Sequence, residues 1–416
     1  MKPKNSIKLT FTGDILCYGI QNKTSQIAED DYNFDDIFFN IKDILNDSDY
    51  VVGSLETPLA GKDLIYTNSP TNFNTPKQFT KSLKKYGFGL LTTGNNHCLD
   101  RGIPGLVNTI QCMDEYCIDH TGTYLTKEES ETIFIKDIGG VKIAFLSFTY
   151  GTNSRSNKNI LKNDEIYHVD LFRAQDIPIK PPSLQKRIFK KIHRILVSLF
   201  NKNVQKQVSS KITPIIDNVN PSEISNPTNS FYIQRLLKKI NSAKAKADLV
   251  VLCMHAGGQF NFYEGPREYV KYLTKLAFDN GVNIIIGNHT HCVLPAQFID
   301  NKTFGTYSLG NFCFTPKDGY YIDGVFADYS VLLNLNINTE TKEIIQINFS
   351  ILKSIKDDND YSKVYEVSEL YKNEVDFTKK IELKKDINTI ISRFTNKDFN
   401  SLEILNEYNY SDLITS

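Results

Sequence analysis

The 416-residue chain has no tryptophan, three methionines and no surplus of either charge, with 48 Lys and Arg set against 48 Asp and Glu. The missing tryptophan is a compositional bias without functional meaning. The zero net charge argues against a nucleic-acid binder, which would show an overall basic balance or a basic stripe. Seven cysteines (positions 17, 98, 112, 117, 253, 292 and 313) are scattered, odd in number and without a CxxC pair. That argues against a secreted disulfide framework and for reduced thiols in a cytosolic setting. Cys98, Cys253, Cys292 and Cys313 lie beside the motifs below; they read as small buried apolar residues rather than soft metal ligands. No apolar stretch reaches the roughly 20 residues needed to cross a bilayer. The opening segment runs from Met1 into a strand-like pattern with no apolar signal region. The expected location is therefore the cytoplasm, with peripheral contact to the inner membrane face as the variant considered below.

What is present is ordinary for a globular protein: 40% hydrophobic and 23% charged residues, enough for a sizeable core. Short apolar runs at Ile7–Thr12, Tyr50–Gly53, Phe88–Thr93, Val141–Phe148, Leu249–Met254 and Ile284–Gly287 read as strands buried on both faces. Helical patterns at Asp35–Leu45, Pro76–Tyr86, Ile103–Tyr116, Asn229–Lys244 and Arg267–Asp279 lie between them. This alternation predicts an α/β architecture. Tyr329–Asn336 and Glu343–Ile351 alternate around a turn, which predicts an antiparallel hairpin. The expected organisation is one domain over residues 1–355, with an insertion at 152–228 and a C-terminal helical appendage at 356–416.

Within the insertion, Ser183–Phe200 has apolar residues at helical spacing, five basic residues and no acidic one. A basic amphipathic helix of this kind can lie in an anionic membrane interface. The plainer reading, a helix packed on the domain with a solvated basic face, is preferred.

Chemistry-bearing residues gather at predicted strand ends, where open α/β sheets collect ligands. The segment around His289 and His291 follows a β-branched run, and in an extended segment an i, i+2 pair points the same way. Two solvated loop histidines would be the plain alternative. Asp14 follows Gly13, which would let the backbone turn. Glu56 follows the second run, and Asn96 and His97 follow the third. Asp100 lies about one helical turn beyond His97 and could orient its imidazole, or satisfy a helix N-terminus. His255 ends the run at Leu249–Met254. Of seven histidines, four (His97, His255, His289 and His291) sit at strand ends. Carboxylates, imidazoles and one amide together suit borderline or hard divalent ions such as Zn, Mn or Fe. A bridging carboxylate with two ions ~4 Å apart would clamp a phosphoryl group and activate a water.

In this order the motifs Gly13-Asp14, Ser54-Leu55-Glu56-Thr57-Pro58, Phe73-Asn74-Thr75-Pro76, Asn95-Asn96-His97-Cys98-Leu99-Asp100, His255-Ala256-Gly257, Gly287-Asn288-His289-Thr290-His291 and Tyr307-Ser308-Leu309-Gly310-Asn311-Phe312 resemble the CapA family. That family is associated with poly-γ-glutamate capsule synthesis and belongs to the calcineurin-like metallophosphoesterase superfamily. The resemblance covers about 7–150 and 230–335. It implies a two-sheet sandwich flanked by helices, a four-layer metallophosphatase-like arrangement. It implies that Asp14 and His291 hold one metal, that Asn96, His255 and His289 hold another, and that Glu56 bridges them. It makes His97 the general acid or the transition-state stabiliser facing the leaving oxygen, with Asp100 behind it, and Asn311 a substrate contact. One or two divalent ions and an anionic polymer or phosphorylated substrate follow from it.

Two departures stand out. The wider superfamily has a histidine two residues after the first aspartate, where this chain has Leu16, so one ion is expected to have fewer protein ligands. Ala256 replaces an aromatic residue, which bears on the substrate rather than on metal binding. The resulting expectation is a metal-dependent hydrolase of the phosphoesterase class. The rival is a non-catalytic, metal-stabilised accessory that binds polymer or a synthase at the membrane. A nuclease is disfavoured by the neutral charge.

Overall fold

The strands expected from apolar runs are present, and each buries alternate residues on opposite sides. The structure is a computed structural model that describes residues 3, 5–67, 72–176, 227–257, 265–313 and 324–415. Along the chain the strands are β1 (Ser6–Ile15), β2 (Gln26–Ala28), β3 (Asp31–Tyr32), β4 (Tyr50–Leu55), β5 (Phe88–Thr92), β6 (Asp119–Thr121), β7 (Phe134–Ile138), β8 (Val141–Thr149), β9 (Leu249–His255), β10 (Ile284–Asn288), β11 (Val293–Asp300), β12 (Thr303–Leu309), β13 (Asn311–Cys313), β14 (Tyr329–Asn338), β15 (Ile344–Lys356), β16 (Ser362–Glu366) and β17 (Tyr408–Asn409). The first large sheet runs β16-β15-β14-β1-β4-β5-β6, with β13 paired to β1 and β17 to β15. The second runs β11-β12-β10-β9-β8-β7.

Alternation assigns the faces. Ile7, Leu9 and Phe11 of β1, Tyr50 and Val52 of β4, Leu249 and Val251 of β9, and Ile284 and Ile286 of β10 meet in one buried core between the sheets. The intervening residues Val51 and Leu55 face outward into a second core with Phe79, Leu83, Leu106 and Ile110 from the helices Gln78–Lys85 and Gly102–Glu115. Val250, Leu252 and Ile285 face a third core against Leu236, Ile240, Leu273 and Ala277 from the helices Pro227–Lys244 and Glu268–Asp279. Two sheets inside and helices outside make an α/β sandwich, and burial on both faces explains why the strands read as continuous apolar runs.

The expected helix over Asp35–Leu45 is broken into Asp35–Phe38, a tighter turn at Phe39–Ile41 and Lys42–Asn46. Phe34, Ile37, Phe38, Ile41 and Leu45 still share one buried stripe. The hairpin is β14 and β15, antiparallel, with Lys342 in the left-handed region at its turn. The C-terminal stretch holds the helix Phe377–Thr395, and also the strands β16 and β17. Ile387, Ile390, Ile391 and Phe394 of that helix enter the core between the sheets. The basic segment Ser183–Phe200 lies outside the described residues. No described helix is long and apolar enough to cross a membrane.

A buried ionic cluster ties the helix Pro227–Lys244 to the segments around Tyr124 and Asp170, after β6 and β8. Asp170, fully buried, accepts from Lys239 Nζ at 2.5 Å and Tyr124 OH at 2.7 Å, and lies 3.0 Å from Arg235 Nη2. Lys239 also donates to Tyr124 OH at 3.0 Å and sits over its ring. One carboxylate thus stands against two cations.

The C-terminal strands carry a different electrostatic feature. Burial first, then the Glu369 and Glu407 charges, push the Glu366 carboxyl from its ordinary 4.5 up to about 7. With a folded-state value above the unfolded one, stability is fully present below the unfolded value and is lost as pH rises towards 7. Glu366→Gln is therefore expected to leave stability unchanged near pH 4. Near pH 8 it should add about 1–2 kcal/mol, after allowing for solvent screening of a partly solvated group. Urea unfolding at both pH values checks this; an equal gain at both would contradict it.

Candidate metal centre

Four strand ends and one loop bring the predicted residues together. Asp14 is near the end of β1, Glu56 one residue past β4, Asn96 and His97 on the loop after β5, and His255 at the last position of β9. His289 and His291 follow β10. All lie at carboxyl ends of parallel-paired strands, as β1–β4, β4–β5 and β9–β10 are parallel.

The local backbone differs from the sequence expectation in two places. His289 and His291 converge, with ring centroids 6.1 Å apart, but not through strand alternation. Both have positive φ, 100° and 57°, so a left-handed turn aims the two rings. That conformation is rare for a side chain with a Cβ and is held by the surrounding packing. Gly13 lies within β1 and is not a turn. A Cβ there would come within 2.0 Å of Gly310 O, so glycine is needed for close approach of β1 to the β12–β13 junction. The Asp14 N–H donates to that same Gly310 carbonyl at 2.9 Å.

The side chains form two groups that share Glu56. In the first, ligand atoms of Glu56, His255 and His289 lie within 4.8 Å of one another. His255 Nε2 is 2.7 Å from Asn96 Oδ1, 3.2 Å from His289 Nδ1 and 3.4 Å from Glu56 Oε1. In the second, Asp14, Glu56 and His291 meet the same spacing. His291 Nδ1 is 3.7 Å from Glu56 Oε2 and 3.8 Å from Asp14 Oδ2. Asp14 is held by Ser54 Oγ at 2.9 Å and by the His289 N–H at 2.8 Å. Leu16 points away into an apolar cluster with Tyr18, Phe73, Cys292 and Leu294, so it adds nothing to the second group.

The protein alone leaves this cluster electrostatically unsatisfied. Glu56 is fully buried, and neither carboxylate oxygen has a hydrogen-bond partner among the described residues. His255 Nδ1 has none either. Burial first, then the charge of Glu56, holds the Asp14 carboxyl well above its ordinary range. Burial likewise raises Glu56, although His291 and His97 pull it down. Burial lowers both His255 and His291, which keeps their imidazoles neutral with lone pairs available. Orphaned carboxylate oxygens facing neutral imidazoles are what a divalent cation would satisfy, and mixed N/O donors suit a borderline or hard ion. The residues present fit such an ion.

His97 stands beside this cluster. Its Nδ1 is 2.7 Å from Asp100 Oδ2, which also accepts from the Phe73 N–H at 2.7 Å. The Phe73 ring packs edge-on to the imidazole at 4.5 Å. Nε2 is left facing inward, 3.9 Å from Glu56 Oε1. Burial pulls His97 down, but Asp100 and Glu56 outweigh it and the net shift is upward. Asn311 is fully buried: its Oδ1 is 2.9 Å from His291 Nδ1, and its Nδ2 donates to Ala327 O at 2.8 Å. Its contacts are thus with a candidate ligand and the backbone.

Sequence reasoning missed the loop after β8. Asn153 Nδ2 is 3.4 Å from His97 Nε2, Asn157 Nδ2 is 3.4 Å from Asp100 Oδ1, and the Tyr150 ring lies 4.6 Å from that of His289. The available signal was position: Tyr150-Gly-Thr-Asn153 follows a strand, as the candidate ligands do. It carries none of the histidines or carboxylates that drew notice elsewhere.

The family model for the bacterial capsule synthesis protein PGA_cap matches residues 8–316. The chain belongs to the PGA_cap family. It is 26% identical over 321 residues to the capsule biosynthesis protein CapA of Bacillus anthracis, covering 76% of this chain and 62% of that protein. It is 26% identical over 330 residues to the PGA biosynthesis protein CapA of Bacillus subtilis (strain 168), covering 79% and 68%. The matched part thus spans about two thirds of each PGA_cap relative. Among solved structures, the NAD nucleotidase of Haemophilus influenzae superposes with a TM-score of 0.36 at 11% identity, over 99% of this chain and 59% of that one.

Proposed function

We propose that this PGA_cap protein is a metal-dependent hydrolase of the phosphoesterase class. Its substrate would be a phosphorylated compound made or handled with an anionic polymer or, if the centre attacked is an amide instead of a phosphoryl group, the polymer itself, such as poly-γ-glutamate. The observation that carries the reading is Glu56: a fully buried carboxylate whose two oxygens have no hydrogen-bond partner among the described residues, shared between two groups of nitrogen and oxygen donors. Asn96, His255 and His289 would hold one ion, Asp14 and His291 the other, and Glu56 would bridge. Divalent ions bound there would polarise a phosphoryl oxygen and lower the pKa of a water.

The remaining work falls to the chain. Ser54 and the His289 N–H fix the Asp14 carboxylate. Asn311 fixes the ring of His291. Asp100 holds His97 Nδ1 and leaves Nε2 directed at the cluster, where it can give a proton to a departing oxygen. Asn153 stands beside that same nitrogen and can orient the group that receives the proton.

Elemental analysis of protein purified without chelator tests the metal reading. About two ions per chain are expected, falling in both Asp14→Ala and His289→Ala. One ion, lost only in His289→Ala, would match a second group weakened by Leu16. No ion after reconstitution with Mn or Zn would overturn the hydrolase reading. The burial of Leu16 in an apolar cluster favours the second reading, a metal-stabilised accessory without turnover. In that case His97→Ala loses no activity, because there is none to lose.

A further inference from the structure

The loop after β8 does more than approach His97. It also carries Arg155, and Arg155 meets Arg173 across a single carboxylate. Asp176 Oδ1 is 3.1 Å from Arg173 Nη1 and 3.5 Å from Arg155 Nη2, while Asp176 Oδ2 takes Arg173 Nη2 at 3.2 Å. Ser154 Oγ donates to the Asp176 carbonyl at 2.6 Å, tying the group to the loop that supplies Asn153. Two guanidinium groups thus share one negative charge. The Nε–H of each is shielded from solvent and has no acceptor among the described residues. The guanidinium of Arg173 lies 5.9 Å from the centre of the Tyr150 ring, and that ring packs on His289. The pair therefore stands one aromatic ring away from a candidate metal ligand. Both side chains keep some contact with solvent, 13% for Arg173 and 33% for Arg155, so a ligand can reach them.

We propose that Arg155 and Arg173 form a subsite for a second anionic group of the substrate, a carboxylate or a phosphoryl group outside the reacting centre. Arginine suits this task because its planar fork matches either oxyanion in bidentate fashion. Among the described residues Asp176 is the one carboxylate paired with the two forks; it holds both in place and neutralises only one of them, which leaves this cluster net positive when empty. The substrate class this selects is a molecule with at least two negative groups close together. A polyanion or a phosphorylated acid meets that condition; a neutral ester does not. The inference rests on the hydrolase reading only in treating the bound molecule as a substrate.

The test is binding, measured by calorimetry at low ionic strength with two probes: inorganic pyrophosphate for the phosphoryl case and triglutamate for the carboxylate case. Metal content and thermal midpoint are recorded for every variant. Arg173→Gln and Arg155→Gln are each expected to weaken binding of at least one probe about tenfold, with metal content unchanged. Asp176→Asn, which removes the competing charge, is expected to tighten the same probe about three- to tenfold. A merely structural role for the cluster would not give opposite signs. The probe that responds identifies the anion. No measurable binding of either probe by the unmodified protein overturns the proposal, as does unchanged affinity in all three variants that retain its melting behaviour. Weakened binding in the arginine variants of a protein that turns over no phosphoester would keep the subsite and sink the hydrolase reading.

Discussion

His97→Ala is expected to lower turnover of a phosphoester substrate by about 10²–10⁴-fold while leaving metal content as it was. The geometry separates the two effects. His97 Nε2 stands 3.9 Å from the nearest Glu56 oxygen, and the groups with mutual ligand spacing omit it. Its other nitrogen is committed to Asp100. Asp100→Asn should reproduce part of the loss, since an amide can meet Nδ1 but cannot offset charge on the ring. Steady-state kinetics beside elemental analysis decide the matter. A variant that loses its ions along with its activity would make His97 a ligand and not a proton donor.

The second large effect is on stability. Asp170→Ala is expected to cost about 3–5 kcal/mol, because it removes the one carboxylate paired directly with the buried Lys239 and the largely buried Arg235 and leaves only the more distant Glu131 charge. Lys239 is 4% exposed, so it has little access to water as a substitute partner. Burial already lowers its pKa, with Asp170 the main influence raising it again. Removing the carboxylate together with the more buried of its two cations, as Asp170→Leu with Lys239→Met, should be milder than Asp170→Ala alone, with Arg235 left to its partial contact with solvent. Denaturant unfolding of the single and double variants measures the difference. Equal losses in both would mean that packing, and not charge, is what Asp170 supplies.

How much of this could be read in advance depended on how local the cause was. The six apolar runs became strands because each is buried on both faces, which leaves a continuous signal. The strands β11, β12 and β13 escaped notice because Gly305, Gly310 and polar residues interrupt their pattern. The candidate ligands were legible because histidine is scarce in this chain and four of seven sit at strand ends. Their manner of convergence was not, since the positive φ of His289 and His291 is imposed by long-range packing, including the Asp14 carboxylate that accepts the His289 N–H. Gly13 looked like a turn residue, and its true constraint is an atom nearly 300 positions away. Asn153, Arg155 and Arg173 stayed hidden because asparagine and arginine are common on surfaces, and nothing local marks the ones that meet at a site.

The two sheets also dictate an order of events during synthesis. β1 needs β14 as its neighbour, and Glu56 needs His255, His289 and His291, all of which leave the ribosome much later. Neither half of the ligand set has a local precursor: every candidate group joins the first sixty residues to the stretch beyond residue 250. The nascent chain therefore carries Asp14 and Glu56 as ordinary carboxylates until both sheets close on one another. Cation capture at the proposed centre would consequently be tied to completion of the fold, and an ion bound there would act as a late lock on the assembled sandwich rather than as a seed for its formation.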